Sequence, residues 1–272
     1  MIPKTIHYCW FGGNPLPEDA HKCIASWKKY CPDYEIMQWD ESNYDVTKSR
    51  YMKEAYAEKK WACVSDYARL DIIYEHGGIY LDTDVEIIKP FDGFLSQKMF
   101  CGWEKTSNLN SHFVNLGIGF GSEAENPIIK EMIDLYDTLS FYTSSGELNL
   151  TPCPRYQTSV LNNHGLMQKY NDIQHLDQAV VYPEEYFCPL NYSSGELELT
   201  ENSHSIHHYT ASWHTIKEQK WWKLCQRIYV VFGEKKGEKI RRNMLVRIIS
   251  HIYVDGLAKT LRKAIKKLRS EK

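Results

Sequence analysis

The chain is 272 residues long, 43% hydrophobic and 25% charged, with 19 Tyr, 9 Phe and 8 Trp. That is enough apolar material for one globular domain with an appendage, and it excludes global disorder. The formal net charge of -2 hides an asymmetry, because residues 217–272 hold 17 Lys+Arg against 5 Asp+Glu and residues 1–216 hold 16 against 30. An acidic body therefore carries a basic tail.

In chain order, KTIHYCWF (4–11) reads as a first strand, closed by Gly12, Gly13, Asn14 and Pro15. Residues 18–30 read as a helix with Ala20, Ile24 and Trp27 on one face, and YEIMQW (34–39) as a second strand. Residues 51–75 are expected to be largely helical, with Gly77-Gly78 as the stop. IYLD follows as a buried strand, and VEIIKPF, MFCGW and FVNLGIGF as further extended pieces. Residues 126–137 form a helix capped by Asn126 with Pro127 in its first turn. Residues 140–170 are less readable, with TPCPRYQTSV suggesting a loop entering a helix; QAVVYP and SIHHYT read as late strands. From about residue 211 the pattern is helical, and LAKTLRKAIKKL (257–268) is a basic amphipathic helix. The alternation of strands and helices implies an α/β fold.

The chemistry concentrates in GGIYLDTDV (77–85). If the strand continues through it, Asp82 and Asp84 point to the same side. Two carboxylates that close tolerate each other beside a divalent cation, and hard oxygen ligands favour Mg²⁺ or Mn²⁺ shared with a phosphate-bearing substrate. A D-x-D triplet alone also suits an ordinary acidic turn. No G-x-x-x-x-G-K and no strand-borne G-x-G-x-x-G is present, so kinase and dinucleotide-dehydrogenase readings lack their signatures.

Four segments together, IPKTIHYCWFGGNPLP, SWKKYCPDYEIMQWDE, SDYARLDIIYEHGGIYLDTDVEIIKPFD and HHYTASW, resemble glycosyltransferase family 32. The likeness is close from residue 2 to about 95 and again near 204–213, and slight over 140–200. The resemblance implies a GT-A type nucleotide-sugar-binding sandwich with a mixed central sheet flanked by helices. It also implies a metal-dependent, retaining sugar transferase of the kind found in capsular polysaccharide synthesis and mannan initiation, sharing its core pattern with clostridial glucosylating toxins. The expected boundaries are a catalytic domain over 1–215 and a helical basic extension over 216–272.

By that resemblance Asp84 binds the metal directly, Asp82 contacts the ribose and the metal region, and His208 is a third ligand. If SIHHYT is a strand, His207 and His208 face opposite ways, so at most one points at the metal. Ser212 and Trp213 hydrogen-bond the metal or diphosphate. Asp66 and Arg69 share a helix face; they read either as an ordinary i,i+3 ion pair or as the groups that hold the sugar. Ser65, Tyr80 and Asn115 are further donor contacts. Trp10 either stacks on the nucleobase or belongs to the core, and His7 is structural.

The expected cofactor is Mn²⁺ or Mg²⁺. The expected partners are a nucleotide sugar, UDP-linked by preference with GDP-mannose as the other option, and a glycan or lipid-linked glycan acceptor. The basic C-terminal helices are expected to touch an anionic membrane surface, and the acidic body argues against nucleic acid. A glycoside hydrolase using paired carboxylates and a non-enzymatic membrane-surface adapter are the competing classes. No apolar run approaches the ~20 residues of a membrane span, and MIPKTIHYCWFGG lacks the long apolar core of a secretory signal. A cytoplasmic chain on the inner face of the plasma membrane, or a fragment parted from its anchor, is therefore expected. The eight cysteines are scattered without a C-x-x-C pair and read as small buried residues.

Overall fold

The computed structural model describes residues 1–105, 112–192 and 194–210, together with residues 220, 221, 224, 227, 228, 231, 232, 236, 239 and 240. It divides into two units, Met1–Leu190 with Glu198–Tyr209, and Asn191–Leu197 with Thr210–Lys272. In the second unit, residues 191–197 form a turn closed by Gly195 N donating to Asn191 O at 2.8 Å, and the described residues from 220 onward are helical. The amphipathic segment 257–268 lies outside the described residues. No helix among the described residues is long and apolar enough to cross a membrane.

The first unit begins β1 (Thr5–Cys9), α1 (Glu18–Tyr30), β2 (Glu35–Trp39), α2 (Arg50–Ala57), α3 (Trp61–His76), β3 (Gly78–Tyr80) and β4 (Val85–Ile87). It continues through a 3-10 turn at Asp92–Phe94, β5 (Met99–Gly102), β6 (Phe120–Ser122), α4 (Pro127–Asp137) and α5 (Cys153–Asn163). The last elements are β7 (Gln174–His175), β8 (Val180–Tyr182), α6 (Glu184–Phe187) and β9 (Ser205–His207). Seven strands form one mixed sheet in the order β2-β1-β3-β6-β5-β8-β7. β1 pairs in parallel with β2 and β3, β5 in parallel with β8, and β6 runs antiparallel to both β3 and β5. The α/β class and the mixed central sheet flanked by helices stand as expected.

The chain first steps from β1 to β2 on one side, then returns to lay β3 on the other. The C-terminal ends of β1 and β3 therefore bound a topological switch point, where open α/β sheets place their ligands. Trp10 leaves one end and Asp82 the other.

Three differences from the sequence reading bear on the site. The 51–75 helix is two helices, α2 and α3, broken where Lys59 takes φ 55; no glycine or proline marks that break. The D-x-D does not continue β3. Leu81 N still donates to His7 O (3.1 Å), but Val85 N donates back to Asp82 O (3.0 Å), so Asp82–Val85 is a turn. The strand after it, β4, leaves the main sheet and pairs antiparallel with β9, with Val85 opposite His207. Of FVNLGIGF, only Phe120 enters a regular strand; Val114 makes an isolated bridge to Trp103.

Helix α1 fixes the exit from the turn. Its fully buried Trp27 donates Nε1–H to Val85 O at 2.7 Å, and Ser26 Oγ accepts from Ile87 N at 2.9 Å. Asn126 caps α4 as its sequence suggests, accepting from Ile128 N at 2.9 Å. The seven described cysteines are free, and Cys9, Cys23, Cys31, Cys101 and Cys188 are buried.

Candidate active site

Helix α3 supplies the cationic centre of the site. Most of its residues from Val64 to Ile73 are buried, and among them is Arg69, whose side chain is only 4% exposed. Such a charge persists only if paired and fully hydrogen-bonded. Arg69 donates Nε–H to Ser65 O (3.1 Å) and Nη2–H to Ser65 Oγ (3.3 Å). The same Nη2 pairs with Asp66 at 3.0 Å and Asp82 at 3.3 Å, and the guanidinium lies 5.0 Å from the centre of the Tyr80 ring. Burial opposes this charge, but Asp82, Tyr80 and Asp66 outweigh it and hold Arg69 firmly protonated. Asp66 and Arg69 are thus more than an isolated helical pair, since Arg69 bridges α3 to the D-x-D turn.

Asp82 keeps 28% of its side chain exposed. Its backbone N–H donates to Gly117 O at 3.0 Å, and Oδ1 accepts from the Tyr80 hydroxyl at 3.2 Å. Burial raises its carboxyl above the ordinary range; Arg69 pulls the other way and Asp84 adds to the rise. Burial likewise raises Asp66, against Arg69 and a hydrogen bond from Cys153. Tyr80 is only 1% exposed. It supports Asp82 and Arg69 from within the sheet rather than lining an open sugar pocket.

The turn and the β4–β9 pairing bring three ligand types together. One ligand atom each from Asp82, Asp84 and His207 lies within 4.8 Å of the others. His207 Nε2 is 3.1 Å from Asp84 Oδ1. Burial disfavours a charged imidazole here, yet Asp84 overrides it and raises His207 above its usual value. Two carboxylates and an imidazole make a donor set suited to a divalent cation such as Mn²⁺, and their convergence fits one.

The histidine at this cluster is His207 and not His208, which corrects the assignment made from motif likeness. The two face opposite ways, as alternation on a strand requires. His208 Nε2 meets the exposed Glu86 Oε2 at 2.8 Å, while its backbone N–H donates to Asp84 O at 2.9 Å.

The remaining predicted residues divide. Asn115 is buried and its Oδ1 accepts from Gly117 N at 2.7 Å, which places it beside the Arg69–Asp82 pair. Ser65 is there too, engaged with Arg69. Trp10 sits at the open end of β1, half-buried, donating Nε1–H to Asn14 O at 2.6 Å. Next to it a cleft is lined by Gly12, Glu41, Tyr56, Lys59 and Trp61. Gly12 has φ +96, and a Cβ there would stand 2.6 Å from the Trp61 indole. Ser212 and Trp213 lie outside the described residues. His7 is structural as expected: buried, it accepts at Nδ1 from Trp39 Nε1 at 3.0 Å.

Sequence reasoning missed several groups. Glu104, just beyond β5, hydrogen-bonds Tyr209 and Asn115 and feels His207; burial raises its carboxyl above the ordinary value. The Cys188 thiol lies 2.9 Å from the Tyr209 hydroxyl, behind His207. Cys153 begins α5 and touches Asp66. None carries a motif of its own, and only the tertiary fold gathers them; Gly117, two residues after Asn115 in an extended-looking run, was the one with a readable signal.

The D-x-D turn, the bridging arginine and the converging histidine thus meet at the switch point of a mixed α/β sheet. Residues 17–101 match the family described as glycosyltransferase sugar-binding region containing DXD motif. Over that segment the chain is similar to these glycosyltransferases. It is 26% identical over 189 residues to an uncharacterized glycosyltransferase of Acanthamoeba polyphaga mimivirus, covering 67% of this chain and 74% of that protein. It is 30% identical over 110 residues to inositol phosphoceramide mannosyltransferase 1 of Schizosaccharomyces pombe (strain 972), covering 36% of this chain and 33% of that protein. The chain thus spans about a third of the length of that yeast relative. Among solved structures it is similar to the PaToxG glycosyltransferase, with 20% identity, a TM-score of 0.46, and coverage of 60% of this chain and 69% of that one.

Proposed function

We propose that the chain transfers a glycosyl group from a nucleotide sugar, a UDP-sugar by preference, to a glycan or lipid-linked glycan acceptor with the help of a divalent cation. The observation that carries this reading is the convergence of Asp82, Asp84 and His207 within 4.8 Å beside the Arg69–Asp66 pair. Asp82, Asp84 and His207 would hold the cation. When bound, such a cation neutralises charge on a departing diphosphate.

The chain's own groups supply the rest. Arg69, fixed by Ser65, Asp66 and Asp82, presents a preorganised positive charge that needs no rearrangement during transfer. Asp66, its carboxylate held from one side by Arg69, accepts hydroxyl hydrogens of the bound sugar. The nucleoside end lies toward the cleft at Trp61, which is two helical turns before Arg69, about 12 Å along α3. That span suits a nucleoside diphosphate sugar laid along the helix. Retention of anomeric configuration follows the family resemblance, with the acceptor hydroxyl attacking from the leaving-group face.

The similarity to an inositol phosphoceramide mannosyltransferase supports a lipid-linked acceptor and keeps GDP-mannose as the second donor. The basic tail supports recruitment to an anionic membrane surface, on the cytoplasmic side. The deciding experiment is a donor screen with Mn²⁺ present, following thermal unfolding with UDP, GDP and their sugars. One nucleotide is expected to raise the midpoint selectively and only with the metal, since binding to the native state alone stabilises it. No stabilisation by any nucleotide with Mn²⁺ sinks the reading.

A further inference from the structure

We propose that Gly117 is a positioning residue of the transfer site, its missing side chain being what allows Asp82, Arg69 and Asn115 to converge. A Cβ built at this position would stand 2.2 Å from Asp82 Oδ2, 2.7 Å from Arg69 Nη1 and 3.1 Å from Asn115 Oδ1. The first two distances are shorter than atoms in contact allow. The requirement is one of space, because Gly117 is not among the glycines with positive φ.

The surrounding bonds leave the segment nowhere to retreat. Gly117 O accepts from Asp82 N at 3.0 Å, and Gly117 N donates to Asn115 Oδ1 at 2.7 Å. From the other side, helix α5 holds the backbone on either side of Asn115. Buried Gln157 accepts from Leu116 N at 3.0 Å, and buried Thr158 accepts from Val114 N at 2.8 Å. A side chain at 117 must therefore displace the side-chain ends of Asp82 and Arg69 rather than move the chain. Core glycines behave otherwise. A Cβ on Gly102 would strike the Phe187 ring at 2.7 Å, and one on Gly121 the Phe100 ring at 2.4 Å. There the cost falls on packing; at Gly117 it falls on the site.

This inference rests on the reading of Asp82, Asp84 and His207 as a cation site. The test compares full-length wild type, Gly117→Ala and Gly121→Ala by Mn²⁺ titration followed by electron paramagnetic resonance, without nucleotide or turnover, alongside thermal unfolding. Gly117→Ala is expected to bind Mn²⁺ at least about tenfold more weakly, the usual effect of disturbing groups that orient metal ligands, with a midpoint within about 3 °C of wild type. Gly121→Ala is expected to lose stability while any folded protein keeps its Mn²⁺ affinity. Equal Mn²⁺ binding by Gly117→Ala and wild type overturns the inference and leaves the cation site standing. Absence of saturable Mn²⁺ binding by wild type removes both. If Gly117→Ala does not fold, the double variant Asp82→Ala/Gly117→Ala decides: recovery of folding supports the collision with Asp82, and equal failure overturns it.

Discussion

At the scale of single residues, the site is built on one buried cation shared by two carboxylates. Arg69→Ala would leave Asp66 and Asp82 facing each other without it. The expected result is a loss of about 3 kcal/mol in stability and about 10²-fold or more in transfer rate, measured by denaturant unfolding and initial rates. Asp84→Ala is expected to abolish transfer and the Mn²⁺-dependent nucleotide stabilisation while the apo protein unfolds close to wild type; retained activity would refute the assigned role. His7 makes a separate prediction. Burial, with a smaller contribution from His76, lowers its pKa to about 4 from 6.5. The unfolded chain therefore binds more protons than the folded one between those values, and stability falls as pH drops through that window, by up to about 3 kcal/mol. His7→Gln is expected to flatten this slope in unfolding curves taken from pH 7 to 4. The two aspartates, Asp66 and Arg69 were all legible from the motif, because each lies within one local segment. His207 was not, since two adjacent histidines on a strand look equivalent until the partner strand is known.

Among elements, α3 and the D-x-D turn matter most. Residues 51–75 are largely helical as read, but the run is interrupted at Lys59, whose φ of 55 falls in a sequence rich in good helix formers. Packing of Trp61 beneath Gly12 is met at that break, and helical propensity alone does not report it. A left-handed backbone at a non-glycine residue costs roughly 1 kcal/mol. Lys59→Gly is therefore expected to raise the midpoint of thermal unfolding by a few degrees. The turn at Asp82–Val85 was hidden for a related reason. A strand and a turn both bring residues two apart to neighbouring positions, so spacing alone does not separate them. The periodic helices were legible, α1 to the residue and α4 with its asparagine cap, because an amphipathic pattern and a cap are local signals.

For the whole molecule, the α/β class followed from the alternation of elements and the mixed sheet from the family likeness, whereas the strand order, β7 and the pairing of β4 with β9 outside the main sheet did not. A two-residue strand such as β7 carries too little pattern to be seen, and the local pattern of β4 and β9 does not say which strand each will pair with. The charge division between residues 1–216 and 217–272 supports a prediction at this scale. In vesicle flotation with anionic lipid, the full chain is expected to float and a chain ending near Lys235 to float less, with the difference lost at high salt; equal flotation would dismiss the tail as an anchor.

The pairing of His207 with Asp84 joins positions 123 residues apart. Asp66, Arg69, Asp82 and Asp84 all precede His207 by more than 120 residues. During synthesis the ribosome thus exposes a carboxylate-rich corner long before its imidazole exists, and the chain must close a loop of that length before the corner is complete. Nascent chains halted before Ser205 are expected to lack tight Mn²⁺ uptake, so that the cation corner is complete only once β9 has been made.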